Sequence, residues 1–176
     1  MEFTLLTEQQ KDALAERIIA MIAACDHEFV PPLSQRHSPF QTAFTAEMRT
    51  ENNLAAYYAE MRKNEILCAF EGEELLGFVA FHKDMTNKYL TPKTLPNLYV
   101  AVLLVDPAAR GRRLTEKMYH YLFEELYPNR NIYTRTWSTN AAHAAILRKF
   151  GLDVVIRIPN DRGEGIDTVY FGTREV

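Results

Sequence analysis

The stretch VDPAARGRRLTEKMYHYLFEEL, residues 105–126, constrains the fold of this chain more than any other segment. It follows an apolar run at residues 98–105, which predicts a buried central strand. Beyond a basic turn that contains one glycine, apolar residues recur at helical spacing and predict an amphipathic helix. These residues are Leu114, Met118, Tyr121, Leu122 and Leu126. The first amides of such a helix lack internal partners and its dipole favours negative charge, so its backbone can bind an anion.

The turn between this strand and this helix adds side-chain charge at the same place. Arg110, Arg112 and Arg113 surround Gly111, and a guanidinium can form paired hydrogen bonds with phosphate oxygens. The pattern therefore indicates a cradle for a pyrophosphate group. A surface turn with solvated arginines has the same composition, and the turn alone does not decide between the two interpretations.

The composition argues against several classes of protein. A chain of 176 residues, 47% hydrophobic and 24% charged, is typical of one globular domain. Its formal net charge of −3 argues against a nucleic-acid-binding protein with a broad basic face. Cys25 and Cys68 are predicted to be reduced packing groups in a cytoplasmic protein. We expect no signal peptide or membrane span, and no metal, because no His, Cys and acidic residues have ligand spacing.

The rest of the chain is predicted to alternate between helices and strands. A capping box at Thr7 begins a helix, and a second helix is predicted at residues 53–63. Two apolar runs joined by the turn EGEE predict a β-hairpin, and Asn140 caps a helix that Gly151 ends. The predicted strands are residues 66–71, 75–82, 98–105, 131–138, 152–158 and 167–173. This order indicates an α/β chain with a mixed sheet.

The irregular segment at residues 25–44 contains three prolines, two histidines and three phenylalanines. A loop of this length in a compact domain is usually functional or mobile, so we expect it to wall a substrate pocket. The alternative is a surface segment that buries Phe29, Phe40 and Phe44.

Residues 66–171 resemble the GNAT superfamily of N-acetyltransferases. In that family a central strand ends in V-x-P and leads into R-G-x-G-x-G/A at the start of a long helix. VDP at residues 105–107 and RGR at residues 110–112 match, whereas Arg113 stands where Gly is usual and Thr115 where Gly or Ala is usual. Because Arg113 takes a positive φ less readily than Gly, we expect either a reshaped turn or an additional phosphate contact.

A second family signature, N-x-x-A-x-x-L-Y-x-K-x-G-F, is similar to residues 140–152. Asn140, Lys149 and Gly151 keep the residues of this signature, while His143 replaces its Ala and Leu147 replaces its Tyr. The resemblance implies one GNAT domain over residues 1–176, with a mixed, mostly antiparallel β-sheet flanked by α-helices and with splayed central strands. Its parts would be the N-terminal helices and substrate-side segment (1–64), the hairpin, central strand and cradle helix (65–139), and the C-terminal helix and strands (140–176).

The resemblance also implies acetyl-CoA as the acyl donor, held between the two splayed strands. The backbone of residues 110–115, the cradle turn, would bind the pyrophosphate, and the central strand would pair with the pantetheine arm. The residues assigned to the cofactor in this way are Leu103, Leu104, Val105, Arg110, Gly111, Arg112, Arg113, Leu114, Thr115, Asn140 and Leu147.

The reaction implied is transfer of an acetyl group to a primary amine by direct attack in a ternary complex. Many family members protonate the departing thiolate with the Tyr that Leu147 replaces, and Leu147 has no proton to give. His143 lies on the same helical face as Asn140 and Leu147, so it is a candidate acid or base. The alternative is that His143 packs or caps in the first turn of its helix.

The sequence does not identify the general base that would deprotonate the amine. Tyr133 is a candidate catalytic residue, although strand tyrosines more often pack than react. The other candidates are Tyr99, His82, His27, Glu28, His37 and Asp106. A water relay without a dedicated base is the alternative.

The predicted function is therefore an acyl-CoA-dependent N-acetyltransferase. An alternative on the same fold is a non-catalytic acyl-CoA-binding or sensor protein, and a third is an anion-binding module that uses the Arg-Gly turn alone. The acceptor is expected to be a small-molecule or peptide amine, and the mixed charges of the loops do not choose among polyamines, amino acids, aminoglycoside-like compounds and protein amines. We expect no nucleic-acid or membrane partner, and a homodimer is left open.

Overall fold

Seven strands form one mixed sheet in the structure, a computed structural model that describes residues 1–44 and 48–176. The strands are β1 (Glu2–Leu5), β2 (Glu65–Glu71), β3 (Glu74–Lys83), β4 (Asn97–Val105), β5 (Asn131–Trp137), β6 (Asp153–Ile158) and β7 (Thr168–Gly172). Their spatial order is β1-β2-β3-β4-β5-β7-β6. β4 and β5 are parallel, and the other neighbours are antiparallel. The predicted α/β class and the mostly antiparallel sheet are confirmed.

Helices cover both faces of this sheet. In the described residues the α-helices are α1 (Glu8–Ala13), α2 (Ala15–Cys25), α3 (Leu54–Met61), α4 (Leu114–His120) and α5 (Ala141–Lys149). The helical path of α4 continues as a π-helical turn, Tyr121–Leu126. Ile22 and Tyr57 pack on one face of the sheet, and Leu122 and Leu147 pack on the other. None of the helices described is long and apolar enough to cross a membrane.

The helix starts follow the signals in the sequence. Thr7 closes the predicted capping box, because its amide donates to Gln10 Oε1 at 2.9 Å while the Gln10 amide donates to Thr7 Oγ1 at 3.3 Å. Asn53 and Asn140 cap α3 and α5 through their Oδ1 atoms. These side chains pair amides that the helices would otherwise leave without partners.

Two elements differ from the sequence prediction. β1 has no predicted counterpart, because a four-residue edge strand is defined by its pairing, here with β2. The N-terminal helix breaks at Leu14 into α1 and α2, although neither Gly nor Pro lies there. Lys11 Nζ holds α1 against the end of α3 by donating to the carbonyls of Arg62 and Asn64 at 3.0 and 2.6 Å. Both differences come from contacts between distant parts of the chain.

β4 and β5 separate partway along their length. They pair in parallel over residues 97–100 of β4 and no further, while β3 stays paired to β4 and β7 stays paired to β5 to the strand ends. A β-bulge leaves Ala101 of β4 without a partner on β3, and a bulge bends the strand that contains it. The Thr134 hydroxyl donates to the Val100 carbonyl at 2.9 Å where the pairing ends. The predicted splay of the central strands is confirmed.

Candidate functional site

A cavity of about 530 Å³ opens where β4 and β5 separate. Its walls come from the second half of β4, the end of β5, the cradle turn with the start of α4, one side of α5, and the segment between α2 and α3. The predicted cofactor residues that line it are Leu103, Leu104, Val105, Arg110, Gly111, Arg113, Leu114, Thr115 and Asn140. One cavity thus brings together both family signatures.

The backbone of the cradle turn leaves amides available to a ligand. Asp106 accepts a hydrogen bond from the Ala108 amide at 2.8 Å and starts the turn that leads to Gly111, whose φ is +80°. Arg113 adopts φ +56° and ψ +33°, the left-handed conformation that glycine takes without steric cost. α4 begins at the next residue and has no side-chain cap, so its first amides have no partner within the helix. An uncapped helix start of this kind fits a pyrophosphate.

Two arginines of the turn are paired with carboxylates. Arg110 Nη2 lies 2.9 and 3.1 Å from the two carboxylate oxygens of Glu28, and this hydrogen bonding raises the pKa of Arg110. Arg112 does not line the cavity, and its Nη2 lies 2.6 Å from Glu71 Oε1. Hydrogen bonding to Arg112 lowers the pKa of Glu71. Both pairs are exposed and therefore weak, so a phosphate can replace the Glu28 carboxylate at Arg110.

The second half of β4 presents an open edge to the cavity. Residues 103–105 line the cavity and lie beyond the last pairing with β5. Their backbone groups on that side can pair with an extended ligand, as an added strand would. The predicted role for Leu103, Leu104 and Val105 is therefore compatible with their placement.

Asn140 ties α5 to the end of β5. Its Nδ2 donates to Thr136 Oγ1 at 3.0 Å and its Oδ1 accepts from the His143 amide at 3.3 Å. An amide nitrogen has two hydrogens, so the second remains for a ligand in the cavity.

His143 forms a side-chain pair with Tyr119, a residue that the sequence analysis did not select. Both line the cavity, and Tyr119 Oη lies 2.8 Å from His143 Nε2. Burial lowers the pKa of His143 to about 4, so its imidazole is neutral near pH 7. Burial raises the pKa of Tyr119, so its hydroxyl keeps its proton. The pair therefore consists of two neutral groups joined by one hydrogen bond at the wall of the cavity.

Leu147 and Tyr133 lie outside the cavity lining. Leu147 is fully buried in the core between the sheet and the helices, and Ile146 lines the cavity in its place. Tyr133 is fully buried with its ring against Gly172, and its hydroxyl has no hydrogen-bond partner among the described residues. The structure thus separates these two predicted site residues from those that line the cavity, and the catalytic role of Tyr133 stays a prediction.

Of the other candidates for the base, Glu28 lines the cavity, whereas Tyr99, His82, His27, His37 and Asp106 are not among its lining residues. Glu28 belongs to the irregular segment that was expected to wall a substrate pocket, and Phe29 and Arg36 of the same segment also line the cavity. Phe44 is buried, so the segment also contributes to the core.

Three further arginines line the cavity: Arg36, Arg135 and Arg162. The sequence analysis did not propose them as site residues, because they come from three separate segments. One signal was present, since Arg135 interrupts the run NIYTRTW, which is β-branched and aromatic and was predicted to be a strand. A charged residue on the inner face of a strand indicates a function when it is buried.

The cavity extends through the sheet. Thr136 contacts α5 through Asn140, and successive residues of a strand point to opposite faces. Arg135 and Trp137 therefore lie on the face opposite α5, where Trp137 packs against Phe29 with ring centroids 5.7 Å apart. The cradle turn and the Tyr119–His143 pair are thus reached from one face, and the three arginines from the other.

Comparisons with known proteins concern the family and the fold of this chain. A sequence model described as the acetyltransferase (GNAT) family matches residues 26–152. No curated protein sequence matches the chain significantly. Among solved structures, the ribosomal-protein-alanine N-acetyltransferase from Brucella melitensis is 13% identical, with a TM-score of 0.67 over 100% of both chains. Aminoglycoside 6'-acetyltransferase type Ii is 15% identical, with a TM-score of 0.67 over 98% of this chain and 96% of the other. A protein from Salmonella typhimurium, solved with its cofactor acetyl-CoA, is 16% identical, with a TM-score of 0.60 over 100% and 95% of the two chains. At these identities the structural likeness concerns the fold.

Proposed function

Because the chain belongs to the GNAT family of acetyltransferases, we propose that it transfers an acetyl group from acetyl-CoA to a primary amine by direct attack in a ternary complex. The observation that carries this proposal is the cavity at the fork between β4 and β5, which joins an uncapped helix start to an open strand edge and a buried proton donor. A binding site for anions alone would need only the uncapped helix start. It would leave the open strand edge and the buried proton donor without a role.

The residues of the cavity fit the donor. The amides at the start of α4 and the guanidiniums of Arg110 and Arg113 bind the pyrophosphate, and the open edge of residues 103–105 orients the arm that follows it. The amide hydrogen of Asn140 Nδ2 that is left free donates a hydrogen bond to a group further along the same arm. The donor, when bound, supplies an acetyl group activated as a thioester. The fork in the sheet lets an amine approach that group from the opposite face.

We propose that Tyr119 takes the role that Leu147 cannot perform. The Tyr119 hydroxyl can donate a hydrogen bond from Oη to an anion that forms in the cavity, and the neutral imidazole of His143 orients that hydroxyl through Nε2. A positioned donor that stabilises developing negative charge contributes about a hundred- to a thousand-fold in rate. We assign no residue as the base. Glu28 lines the cavity but contacts Arg110 of the cradle turn, where the pyrophosphate would bind.

The first test is a thermal-shift titration with CoA and with acetyl-CoA on the wild type, Gly111→Trp and Gly72→Trp. Gly111 and Gly72 both have positive φ and open space around an added Cβ, so the two substitutions impose a similar backbone strain. Gly72 lies in the β2–β3 turn and does not line the cavity. Ligand at about 100 times its dissociation constant stabilises the protein by about 2.7 kcal/mol.

We expect this stabilisation in the wild type and in Gly72→Trp, and its loss in Gly111→Trp. If none of the three responds to either ligand, the proposed donor is wrong. If the wild type responds but releases no free thiol with a broad panel of amines, the chain binds acyl-CoA without catalysis.

A further inference from the structure

The three arginines on the far face of the cavity, Arg36, Arg135 and Arg162, form what we call the arginine cluster. Their exposed fractions are 4%, 8% and 7%. The three guanidiniums surround the ring of Phe44, with their Cζ atoms 5.1, 4.7 and 4.4 Å from its centroid. Because all three contact one ring, the three positive charges are close neighbours.

The hydrogen bonds of the arginine cluster go to neutral oxygens. Arg36 donates to the Pro31 carbonyl at 3.0 and 2.8 Å, and Arg162 Nη1 donates to the Val30 carbonyl at 2.6 Å. Arg135 donates to the Pro39 carbonyl at 3.1 Å and contacts the Tyr170 hydroxyl at 3.4 Å. These bonds fix the orientation of the guanidiniums without neutralising their charge.

No carboxylate within residues 1–44 and 48–176 forms an ion pair with the arginine cluster. The nearby acid Asp161 accepts instead from the Thr168 hydroxyl at 2.6 Å, and Arg162 Nε reaches that same hydroxyl at 2.9 Å. Glu28, at the cavity wall, is paired with Arg110. Within the part of the chain that the structure describes, these two acids thus contact other groups.

Three buried like charges that have no counter-ion among the described residues are costly. Buried Arg is rare unless it is paired, and removing charge from water costs several kcal/mol per ion in proteins. Burial, together with the neighbouring charges of Arg36 and Arg135, lowers the pKa of Arg162 to about 8, and burial beside Arg135 lowers the pKa of Arg36 to about 10. The hydroxyl of Tyr57 is also buried without a hydrogen-bond partner in the described structure, and Arg36 and Arg135 are among the charges that act on it. An anion with several acceptor oxygens would satisfy these groups together.

We propose that the arginine cluster binds a compact oxyanion, a carboxylate or a phosphorus oxyanion, on the acceptor amine, so that the enzyme acetylates amines that carry such a group. This inference rests on the proposed acetyltransferase function, since it names the class of acceptor. An Arg fork matches the two oxygens of a carboxylate, and three guanidiniums can meet the three oxygens of a phosphonate. Phe29 and Trp137, which also line this end, provide apolar walls for the carbon chain of the acceptor.

Trp137 makes binding at the arginine cluster measurable without catalysis. It is the sole tryptophan of the chain, and its ring centroid lies 5.9 Å from Arg162 Cζ. Its fluorescence can be titrated with glycine and with 2-aminoethylphosphonate, each compared with a neutral-tailed partner, glycinamide and ethylamine, and with spermidine as a cationic amine. We expect a saturable response to the two anionic amines, with affinities at least tenfold higher than those of the neutral-tailed partners. Which of the two anionic amines binds more tightly shows whether the cluster prefers a carboxylate or a phosphorus oxyanion.

The matched variants are Arg162→Gln and Arg157→Gln. Arg157 is exposed, pairs with Asp167 and does not line the cavity, so its substitution removes one positive charge from the same region. Arg162→Gln should lower the affinity for the anionic amines at least tenfold and leave the affinity for the neutral-tailed amines unchanged. Arg157→Gln should change neither affinity. A retained thermal shift with acetyl-CoA shows that Arg162→Gln is folded. If that shift is lost, Arg36→Gln takes its place in the comparison.

Thiol release from acetyl-CoA with the same five amines completes the test. Faster turnover of the anionic amines supports the proposal. Equal responses to anionic and neutral amines in the wild type, or a preference for spermidine, overturn it even if acetyl-CoA binds and is consumed. A Trp137 response to anionic amines in a protein that does not bind acetyl-CoA would instead overturn the proposed function and leave an anion site.

Discussion

Replacing Arg113 by glycine should stabilise the free protein and weaken the binding of acetyl-CoA. Arg113 has φ +56° at the residue before α4, and a left-handed conformation costs a residue with a Cβ about 1–2 kcal/mol. Glycine avoids that cost but has about 0.4–1 kcal/mol more entropy to lose on folding. The free energy of unfolding should therefore rise by about 0.5–1 kcal/mol, which raises the melting temperature by about 1–4 °C in a chain of this size.

The effect on the ligand should have the opposite sign. Arg113 is exposed and lines the cavity beside the first amides of α4. A phosphate contact in such a place is partly screened by water and is worth about 0.5–1 kcal/mol. The dissociation constant of acetyl-CoA should therefore rise about two- to fivefold.

Thermal unfolding with and without acetyl-CoA, together with calorimetric titration, measures both effects. Arg112→Gly is the matched control, because Arg112 is the neighbouring arginine, has no positive φ and does not line the cavity. This control should lower the melting temperature slightly and leave the affinity nearly unchanged. If Arg113→Gly destabilises the free protein as the control does, the backbone argument is wrong. If it stabilises the protein but leaves the affinity unchanged, Arg113 does not contact the phosphate.

Three further predictions concern the proton donor and the two charged ends of the cavity. Burial lowers the pKa of His143 to about 4 from an unfolded value of 6.5. Below pH 6.5 the unfolded chain therefore binds a proton that the folded chain does not. The contribution of neutral His143 to stability is thus fully present above pH 6.5 and is lost as the pH falls toward 4. Urea unfolding should show a loss on the order of 2 kcal/mol across that window, and a smaller loss in His143→Gln; equal losses would contradict the burial argument. Tyr119→Phe should lower kcat by about a hundredfold or more without changing the affinity for acetyl-CoA, and single-turnover thiol release at an unchanged rate would remove Tyr119 from the mechanism. Raising the ionic strength from about 0.05 to 0.5 M should weaken the binding of acetyl-CoA, whose pyrophosphate contacts are exposed, more than the binding of an anionic amine at the buried arginine cluster. If the two affinities fall equally with salt, the cluster is open to water.

Sequence reasoning succeeded where the functional residues are neighbours along the chain. The strand, the cradle turn and the start of α4 fall within residues 97–120, so their spacing alone specifies how they lie. The cap at Asn140 is equally local, since its hydrogen bonds reach Thr136 and His143 within four residues. Local hydrogen bonds and helical periodicity act at short range, and they are what a single sequence displays.

The residues that sequence reasoning missed are brought together by the sheet. In the sequence, Tyr119 follows Met118 in an apolar stretch of the helix and resembles a core residue. Its contact with His143, 24 positions away along the chain, is visible only in the fold. Leu147 occupies the family's tyrosine position but is fully buried in the core. The members of the arginine cluster come from a loop after α2, from β5 and from the loop before β7. The pairing of β7 with β5 brings the second and third of these segments together.

The costly features of this fold gather around the cavity. Arg113 is held in a left-handed conformation, three like charges are buried together, and two adjacent strands leave their edges unpaired beyond Val100. Each feature lowers the stability of the free protein, and strain that persists at one site of an otherwise well-packed domain indicates function. The pyrophosphate and the arm of the donor would satisfy the first and the third. They leave the arginine cluster on the opposite face without an anionic partner among residues 1–44 and 48–176, and this is the strongest reason to seek its partner on the acceptor.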